Sequence, residues 1–142
     1  MCLTTSRKHL MDVIALAAAF PDLPIVLDHA GITRTGLTPN EAIRAVTPLT
    51  VAGNLYFKVT TPLLQSEDDA ALLRFLVDEA GAGRVLWGSN FPVTDLGGYA
   101  ATVAASMPAL AALAADARAA VSGGTAMALF PRLLARSAPT AR

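Results

Sequence analysis

The sequence contains little cysteine, little histidine and no excess of charge of either sign. Cys2 is the only cysteine among 142 residues, which excludes a disulfide within the chain and is typical of a reducing compartment. Eleven basic residues balance eleven acidic ones in mixed order, so neither a nucleic-acid surface nor a polybasic membrane patch is predicted. We therefore expect a cytoplasmic protein without nucleic-acid or membrane partners.

Long apolar runs free of charge or proline are also missing. The apolar stretch 13–20 follows His9 and Asp12, and its apolar residues recur at helical spacing, so it resembles an amphipathic helix more than a signal peptide. The alanine-rich stretch that starts at Ala100 is interrupted by Pro108 and by charged residues, which predicts packed helices rather than a membrane span.

What the chain does contain is an alternation of helices and short apolar strands. Apolar residues make up 54% of the chain and charged residues 15%, as in a globular domain. A helix is predicted over residues 6–19, and strands over 25–29, 55–60 and 84–88. Strands separated by helices form a parallel sheet. A sheet of three strands leaves two open edges, so residues 1–142 are predicted to form one structural unit that is incomplete.

Local signals set the expected ends of the helices. The expected caps and stops are Thr5 or Ser6 and Pro21 for the first helix, a capping box from Thr38 to Glu41 for the second, and Ser66–Asp69 and Gly81 for the third. Breaks are expected at Pro108 and at Gly123-Gly124, with Thr125 capping the last helix and a frayed tail beyond Ala135.

The alternation of side chains along a strand predicts which of them share a face. In the second predicted strand, Tyr56, Lys58 and Thr60 lie on one face, and Leu55, Phe57 and Val59 lie on the other, which should pack on helices. His29 ends the first strand on the face of Ile25 and Leu27, and Asn90 follows the third strand on the face of Leu86 and Gly88. His29, Lys58 and Asn90 are thus each predicted at or near a strand's carboxyl end, where barrel enzymes carry their functional groups.

Each of these three residues also has an ordinary structural interpretation. A histidine at a strand end can be a hydrogen-bonded structural residue. Lys58 could extend its ammonium group to solvent, and Asn90 could be a turn residue that bonds its local backbone. Their shared position favours a functional site.

Three motifs in order resemble those of the amidohydrolase-related family. They are Asp28-His29-Ala30-Gly31, Asn54-Leu55-Tyr56-Phe57-Lys58 and Leu86-Trp87-Gly88-Ser89-Asn90-Phe91-Pro92, and the segment from Gly123 to Phe130 is similar to the family's closing helix. The resemblance implies an α/β fold, namely the C-terminal part, about three βα units, of a TIM-type (β/α)8 barrel. It also implies hydrolysis of a lactone or another ester- or amide-like carbonyl.

The same resemblance suggests roles for four residues. His29 matches a histidine that contacts metal or substrate, and it would bind metal only if the missing strands complete the site. Asn90 occupies the position of an aspartate that takes a proton from the attacking water. Lys58 matches a common lysine, and together with Tyr56 it is a candidate for substrate binding. Full-length members use a divalent metal such as zinc, and for this chain alone no cofactor is expected.

Two departures from the family pattern affect the expected activity. The amide of Asn90 cannot act as a general base, and losing such a base typically removes roughly 100- to 10,000-fold in rate. The family's His-x-His motif would lie upstream of Met1. With His9 and His29 as the only histidines, the three protein ligands of a usual catalytic zinc site cannot be assembled.

The leading interpretation is therefore a hydrolase fragment, inactive alone. It would act on a small-molecule substrate if completed by a separate N-terminal polypeptide or by self-association. The alternative is a non-catalytic α/β binding or scaffold domain derived from the same family. A nucleotide-binding domain is disfavoured because no G-x-G-x-x-G or phosphate-loop pattern follows any strand.

Overall fold

The structure is a computed structural model, and it describes residues 1–32, 37–65 and 69–131. The strands are Cys2–Leu3 (β1), Ile25–Asp28 (β2), Leu55–Thr60 (β3) and Val85–Gly88 (β4). The α-helices are Leu10–Ala19 (α1), Pro39–Val46 (α2), Asp69–Ala80 (α3), Tyr99–Ala104 (α4), Met107–Ala111 (α5), Ala115–Ala119 (α6) and Thr125–Leu129 (α7). No helix within these ranges is long and apolar enough to cross a membrane.

The four strands form one parallel sheet in the order β1-β2-β3-β4. The predicted count of three strands was one short, because β1 has only two residues and shows no periodicity. It is placed by pairing: Cys2 lies opposite Val26 and Leu3 opposite Leu27, and the Val26 amide donates to the Met1 carbonyl at 2.8 Å. The parallel α/β architecture predicted from the alternating pattern is confirmed.

One face of the sheet holds the main core. The side chains of Leu55, Phe57 and Val59 on β3 are fully buried, as are those of Ile25 and Leu27 on β2, and they pack with apolar residues of the helices. Burial of each such side chain contributes roughly 1.5–3 kcal/mol. The face assignment made from alternation in β3 is confirmed, and Tyr56 and Lys58 lie on the opposite, less buried face.

The capping box at the start of α2 is confirmed. The Glu41 amide donates to the Thr38 hydroxyl at 3.3 Å, and the Thr38 amide donates to the Glu41 carboxylate at 2.8 Å. Gly81 follows α3 at φ 87°, and its amide donates to the Val77 carbonyl at 3.0 Å, as expected for a helix end. The predicted helix start over Ser66–Asp69 lies outside the described residues except for Asp69, the first residue of α3. The predicted fraying beyond Ala135 also lies outside the described residues.

Other helix ends differ in detail from the prediction. The first helix begins as a 3-10 turn at Arg7–His9, and the Ser6 side chain makes no capping hydrogen bond. Thr125 is the first residue of α7 but does not cap it, because its hydroxyl donates to the Ala82 carbonyl at 2.9 Å. The alanine-rich region is broken as expected, with Pro108 in the first turn of α5 and a widened turn over Ala120–Gly124 before α7.

Candidate functional site

Asp28 and Lys58 form an ion pair across β2 and β3. The strand register places these two residues directly opposite each other, on the face that points away from the main core. The distance from Lys58 Nζ to Asp28 Oδ1 is 2.5 Å, and the two side chains are 32% and 21% exposed. Both charges are therefore largely withdrawn from water, and each has the other as a partner.

The pair is held from both sides by the outer strands. The hydroxyl of Thr4, which follows β1, donates to Asp28 Oδ2 at 3.0 Å. On the β4 side, a Cβ added at Gly88 would lie 3.3 Å from Lys58 Cε and 3.5 Å from Cδ, so the lysine stem lies against this glycine. We call Thr4, Asp28, Lys58 and Gly88 the strand-end network, because it touches all four strands near their carboxyl ends.

The network keeps Asp28 ionised. Burial raises the pKa of this carboxyl, but hydrogen bonds from Lys58 and Thr4, together with the nearby positive charge, lower it by more. The net pKa of Asp28 is therefore below its ordinary value of 3.8. A carboxylate accepts hydrogen bonds only, so its remaining lone pairs are available to a donor.

His29 turns out of β2 and towards β3. The strand ends at Asp28, and His29, Ala30 and Gly31 follow with φ values of 54°, 53° and 77°. His29 Nδ1 lies 2.7 Å from the Thr60 hydroxyl. The assignment of His29 to the face of Ile25 and Leu27 was wrong, because simple alternation stops where the backbone leaves the extended region.

The hydrogen bond to Thr60 also divides the roles of the two ring nitrogens. If Nδ1 carries the proton and donates to the hydroxyl, Nε2 keeps a lone pair for a ligand or for water. If the hydroxyl donates instead, Nε2 carries the proton. His29 adopts a left-handed φ, which costs roughly 1–3 kcal/mol at a non-glycine residue and tends to occur at functional sites.

Asn90 lies in a tight turn after β4. It adopts φ 60°, its side-chain amide donates to the Thr94 hydroxyl at 2.9 Å, and its carbonyl accepts from the Thr94 amide at 2.8 Å. Asparagine tolerates this left-handed conformation better than most residues. The structural interpretation of Asn90 as a turn residue therefore accounts for its geometry, and its side chain is engaged with Thr94.

Tyr56 does not join the strand-end network. It lines a surface hollow with Pro24 and Asn54, which precede β2 and β3, at the amino-terminal side of the sheet. Tyr56 lies two positions before Lys58 along β3, a distance of roughly 6–7 Å. Its role in substrate binding stays a prediction.

Four residues of the site escaped the sequence reasoning as site residues: Thr4, Asp28, Thr60 and Gly88. A signal existed for Asp28, because a carboxylate that ends an apolar strand needs a partner. Gly88 was noted only as part of the motif around Asn90, and nothing in the sequence indicated Thr4. The contacts of both depend on pairing across β1 and β4 that only the folded sheet creates.

The described residues do not form a metal site by themselves. No group of three or more His, Cys, Asp or Glu side chains suited to a metal occurs among them. Both oxygens of Asp28 already have partners, and Nδ1 of His29 faces Thr60. Among the described residues, His29 Nε2 is thus the one candidate ligand at the strand ends that no hydrogen bond occupies, which falls short of the three ligands that a catalytic zinc site usually takes.

This arrangement, polar side chains gathered at the carboxyl ends of parallel strands with helices on the opposite face, defines part of a barrel-type enzyme fold. The model of the amidohydrolase family matches residues 2–132. The chain belongs to the amidohydrolase family.

Individual relatives agree with this placement. An L-fucono-1,5-lactonase from Burkholderia ambifaria is 31% identical over 99 residues, which are 65% of this chain and 34% of the relative. A crystal structure of a Burkholderia multivorans amidohydrolase with bound zinc matches at a TM-score of 0.74 and 23% identity, over 92% of this chain and 51% of that one. The structure of a Pseudomonas putida protein assigned as a 2-pyrone-4,6-dicarboxylic acid hydrolase matches at a TM-score of 0.65 and 26% identity. The match covers 92% of this chain and 50% of that one.

The chain therefore spans about half the length of the solved relatives and about a third of the lactonase. Its four parallel strands and surrounding helices correspond to part of the TIM-type barrel of those proteins. The predicted family and the partial-barrel fold class are both confirmed.

Proposed function

We propose that this chain supplies the carboxyl-terminal half of a hydrolase active site in which water attacks a lactone or another ester- or amide-like carbonyl. The observation that carries the proposal is the strand-end network, which joins four adjacent parallel strands at the edge where barrel enzymes bind their substrates. The lactonase and the dicarboxylate hydrolase among the relatives support this reaction class.

His29 is the residue best suited to handle a proton. With Nδ1 bonded to Thr60, its Nε2 can accept a proton from water or contact the substrate. Lys58 carries ammonium protons that Asp28 does not use, and these can donate to a substrate oxygen. In this proposal His29 is the catalytic group of the chain and Lys58 binds and orients the substrate.

A divalent metal such as zinc would supply Lewis-acid chemistry when bound, and zinc is bound in the crystal structure of the related Burkholderia multivorans amidohydrolase. The described residues offer His29 as a single ligand and do not fit a complete site. No step of the proposed reaction therefore passes through a metal on this chain alone.

Completion of the site requires further strands. Within the described sheet, β1 and β4 each pair on one side only, whereas a barrel of this type has eight strands. We propose that a separate amino-terminal polypeptide or a second copy of this chain provides them. The exposed thiol of Cys2 supports a reducing, cytoplasmic compartment for this assembly.

Asn90 favours a second candidate, a non-catalytic domain that keeps the sheet and has lost the chemistry. Its amide cannot take a proton from water, and it is bonded to Thr94 within a turn. In this alternative the strand-end network would bind a ligand without turning it over.

The two candidates are separated by reconstitution. The chain is purified alone and also co-expressed with the amino-terminal half of the Burkholderia multivorans barrel, and hydrolysis of a panel of lactones is followed by proton release. We expect turnover only in the co-purified complex, with loss of that turnover in His29→Ala. A complex that forms but hydrolyses none of the lactones would support the non-catalytic domain.

A further inference from the structure

The exposed apolar side chains of this protein lie at the two ends of the sheet. The described residues form four βα units, which begin in turn with β1, β2, β3 and β4. Among the large apolar side chains that are exposed in this part of the chain, Val51 alone belongs to the two middle units. The first unit exposes Met11 and Phe20, and the fourth exposes Phe91, Val93, Tyr99 and Met127. Single exposed apolar residues are ordinary, but their concentration on two flanks is typical of interaction surfaces.

Helix α1 of the first unit has an apolar outer side. Asp12 is its one charged residue. The other exposed positions of this helix carry apolar side chains, namely Met11, Ala15, Ala18 and Ala19. In the second unit, by contrast, the exposed positions of α2 are the polar Asn40 and Arg44. A helix that is apolar on all sides is typical of the interior of a larger assembly.

The first and fourth units also carry the open edges of the sheet. Within the described sheet β1 pairs only with β2, and β4 pairs only with β3. An open strand edge presents backbone N–H and C=O groups with which a further strand can pair. The described strands are all parallel, and their number is half of the eight in a closed parallel barrel.

We infer that a second copy of this chain covers both flanks, and that the two copies together close an eight-stranded barrel. A two-fold axis along the barrel places β4 of each copy beside β1 of the other, so the two joints are identical and no open edge remains. A second copy is favoured over a different polypeptide because one rotation satisfies both edges and both apolar flanks with surfaces that this chain itself provides.

This inference rests on the proposed function, since it names the partner that completes the same site. The carboxyl ends of all eight strands would lie at one end of the barrel, where barrel enzymes bind their substrates. The strand-end networks of both copies, each with its own Lys58 and the adjacent His29, would then line one cavity.

Sedimentation equilibrium of the full chain tests the assembly. We expect twice the chain mass of 14.7 kDa, without growth into larger species at higher protein concentration, because a closed ring has no free edge. A single-chain mass at every concentration would overturn the inference, and so would open-ended growth. No turnover is measured, so failure of the hydrolysis test leaves a dimer standing. A monomer would still leave the proposed reaction open to completion by an amino-terminal polypeptide.

Two matched variants locate the joint. Val93 is 87% exposed and Val51 is 83% exposed, so neither needs its valine for the fold of one copy. Val93→Lys places an ammonium group on the flank of the fourth unit and should weaken the dimer by about tenfold or more. Val51→Lys adds the same group in a middle unit and should dimerise as the wild type does. Equal dissociation constants for the two variants would contradict the joint, and circular dichroism checks that both are folded.

The native thiol of Cys2 distinguishes the ring from other ways of pairing the edges. Cys2 lies in β1 and is exposed. In the ring the two β1 strands are on opposite sides of the barrel, whereas a disulfide needs Cα atoms within about 7 Å of each other. A dimer that joined β1 to β1 would bring the two thiols together. We expect mild oxidation with diamide to leave the chains of the dimer unlinked on a non-reducing gel, and rapid disulfide formation would exclude the ring.

Discussion

Arg84 and Thr50 are joined by a hydrogen bond of 2.8 Å between the guanidinium Nη2 and the Thr50 carbonyl, across 34 residues of sequence. The same guanidinium donates to the carbonyls of Ala52 and Ala80. Arg84 thereby ties the loop before β3 to the end of α3 and to the start of β4. The fixed fork of five N–H donors in arginine makes this possible, and the single ammonium of lysine cannot reproduce it.

Arg84→Lys should therefore be clearly destabilising. Hydrogen bonds to a charged group are worth about 1.5–3 kcal/mol each, and lysine would lose at least one of the three. We expect the free energy of unfolding in urea to fall by about 2 kcal/mol. Arg118→Lys, at an exposed position, should change it by less than about 0.5 kcal/mol. Equal effects of the two substitutions would show that the hydrogen bonds of Arg84 contribute nothing to the free energy of unfolding.

Gly88→Ala tests the packing of Lys58 against β4. The added Cβ would meet the lysine stem at 3.3 Å, so Lys58 must move and its ion pair with Asp28 must adjust. Because the flexible lysine stem can give way by a few tenths of an ångström, we expect a loss in stability of at most about 1 kcal/mol and a change in the Lys58 side-chain NMR signals. Gly53→Ala is the matched control, because a Cβ there meets nothing within 4 Å. A Lys58 signal unchanged in Gly88→Ala would contradict the contact.

The Asp28–Lys58 pair should show measurable coupling in a double-mutant cycle. Asp28→Asn, Lys58→Met and the double variant are compared by urea unfolding at neutral pH. Because the side chains are only 21% and 32% exposed, the coupling energy should exceed the ~0.5 kcal/mol typical of a surface pair and reach about 1–2 kcal/mol. If the destabilisations of the two single variants simply add, the ion pair has no measurable coupling energy.

The capping box of α2 predicts a specific pH dependence. Hydrogen bonds from the Thr38 backbone and side chain lower the pKa of Glu41 below its ordinary 4.5. The stability it adds is therefore present above pH 4.5 and is lost as the pH falls through the lowered folded value. Glu41→Gln should be less stable than the wild type at pH 7, and the difference should vanish in acid. If the stability difference between the wild type and Glu41→Gln is the same at every pH, the charge of Glu41 is not its cause.

Asn90→Asp should restore the carboxylate that the family pattern places after β4. Aspartate also tolerates the left-handed backbone, and its carboxylate can accept from the Thr94 hydroxyl, so the turn should be kept. In the reconstituted complex we expect lactone hydrolysis to rise by about 100-fold, the scale of a general base. Asn90→Ala controls for the turn and should give no gain. If Asp and Ala behave alike, this position has no catalytic role in the protein.

The parts of the fold that could be read from the sequence are those set by neighbours along the chain. The capping box of Thr38 and Glu41 and the two faces of β3 each follow from residues a few positions apart. The strand β1 could not be found in this way, because two residues carry no period and are placed only by pairing with β2.

The position of the site could be predicted from the sequence, but the contacts among its residues could not. The alternating pattern correctly placed Lys58 on the polar face of β3. Its partner Asp28 depends on the register between two parallel strands 30 residues apart, which no local signal fixes. The turn of His29 towards Thr60 depends on positive φ at a non-glycine residue, and side-chain alternation assumes that such residues are absent.

The order of the strands in the sheet is the order in which they are synthesised. Each new strand pairs with the one completed just before it, and none has to be inserted between two others. A chain built in this way can add its βα units one after another as it leaves the ribosome, without waiting for its last residue. At every stage the newest strand is the open edge of the sheet, and Val85–Gly88 covers the β3 edge as soon as it emerges.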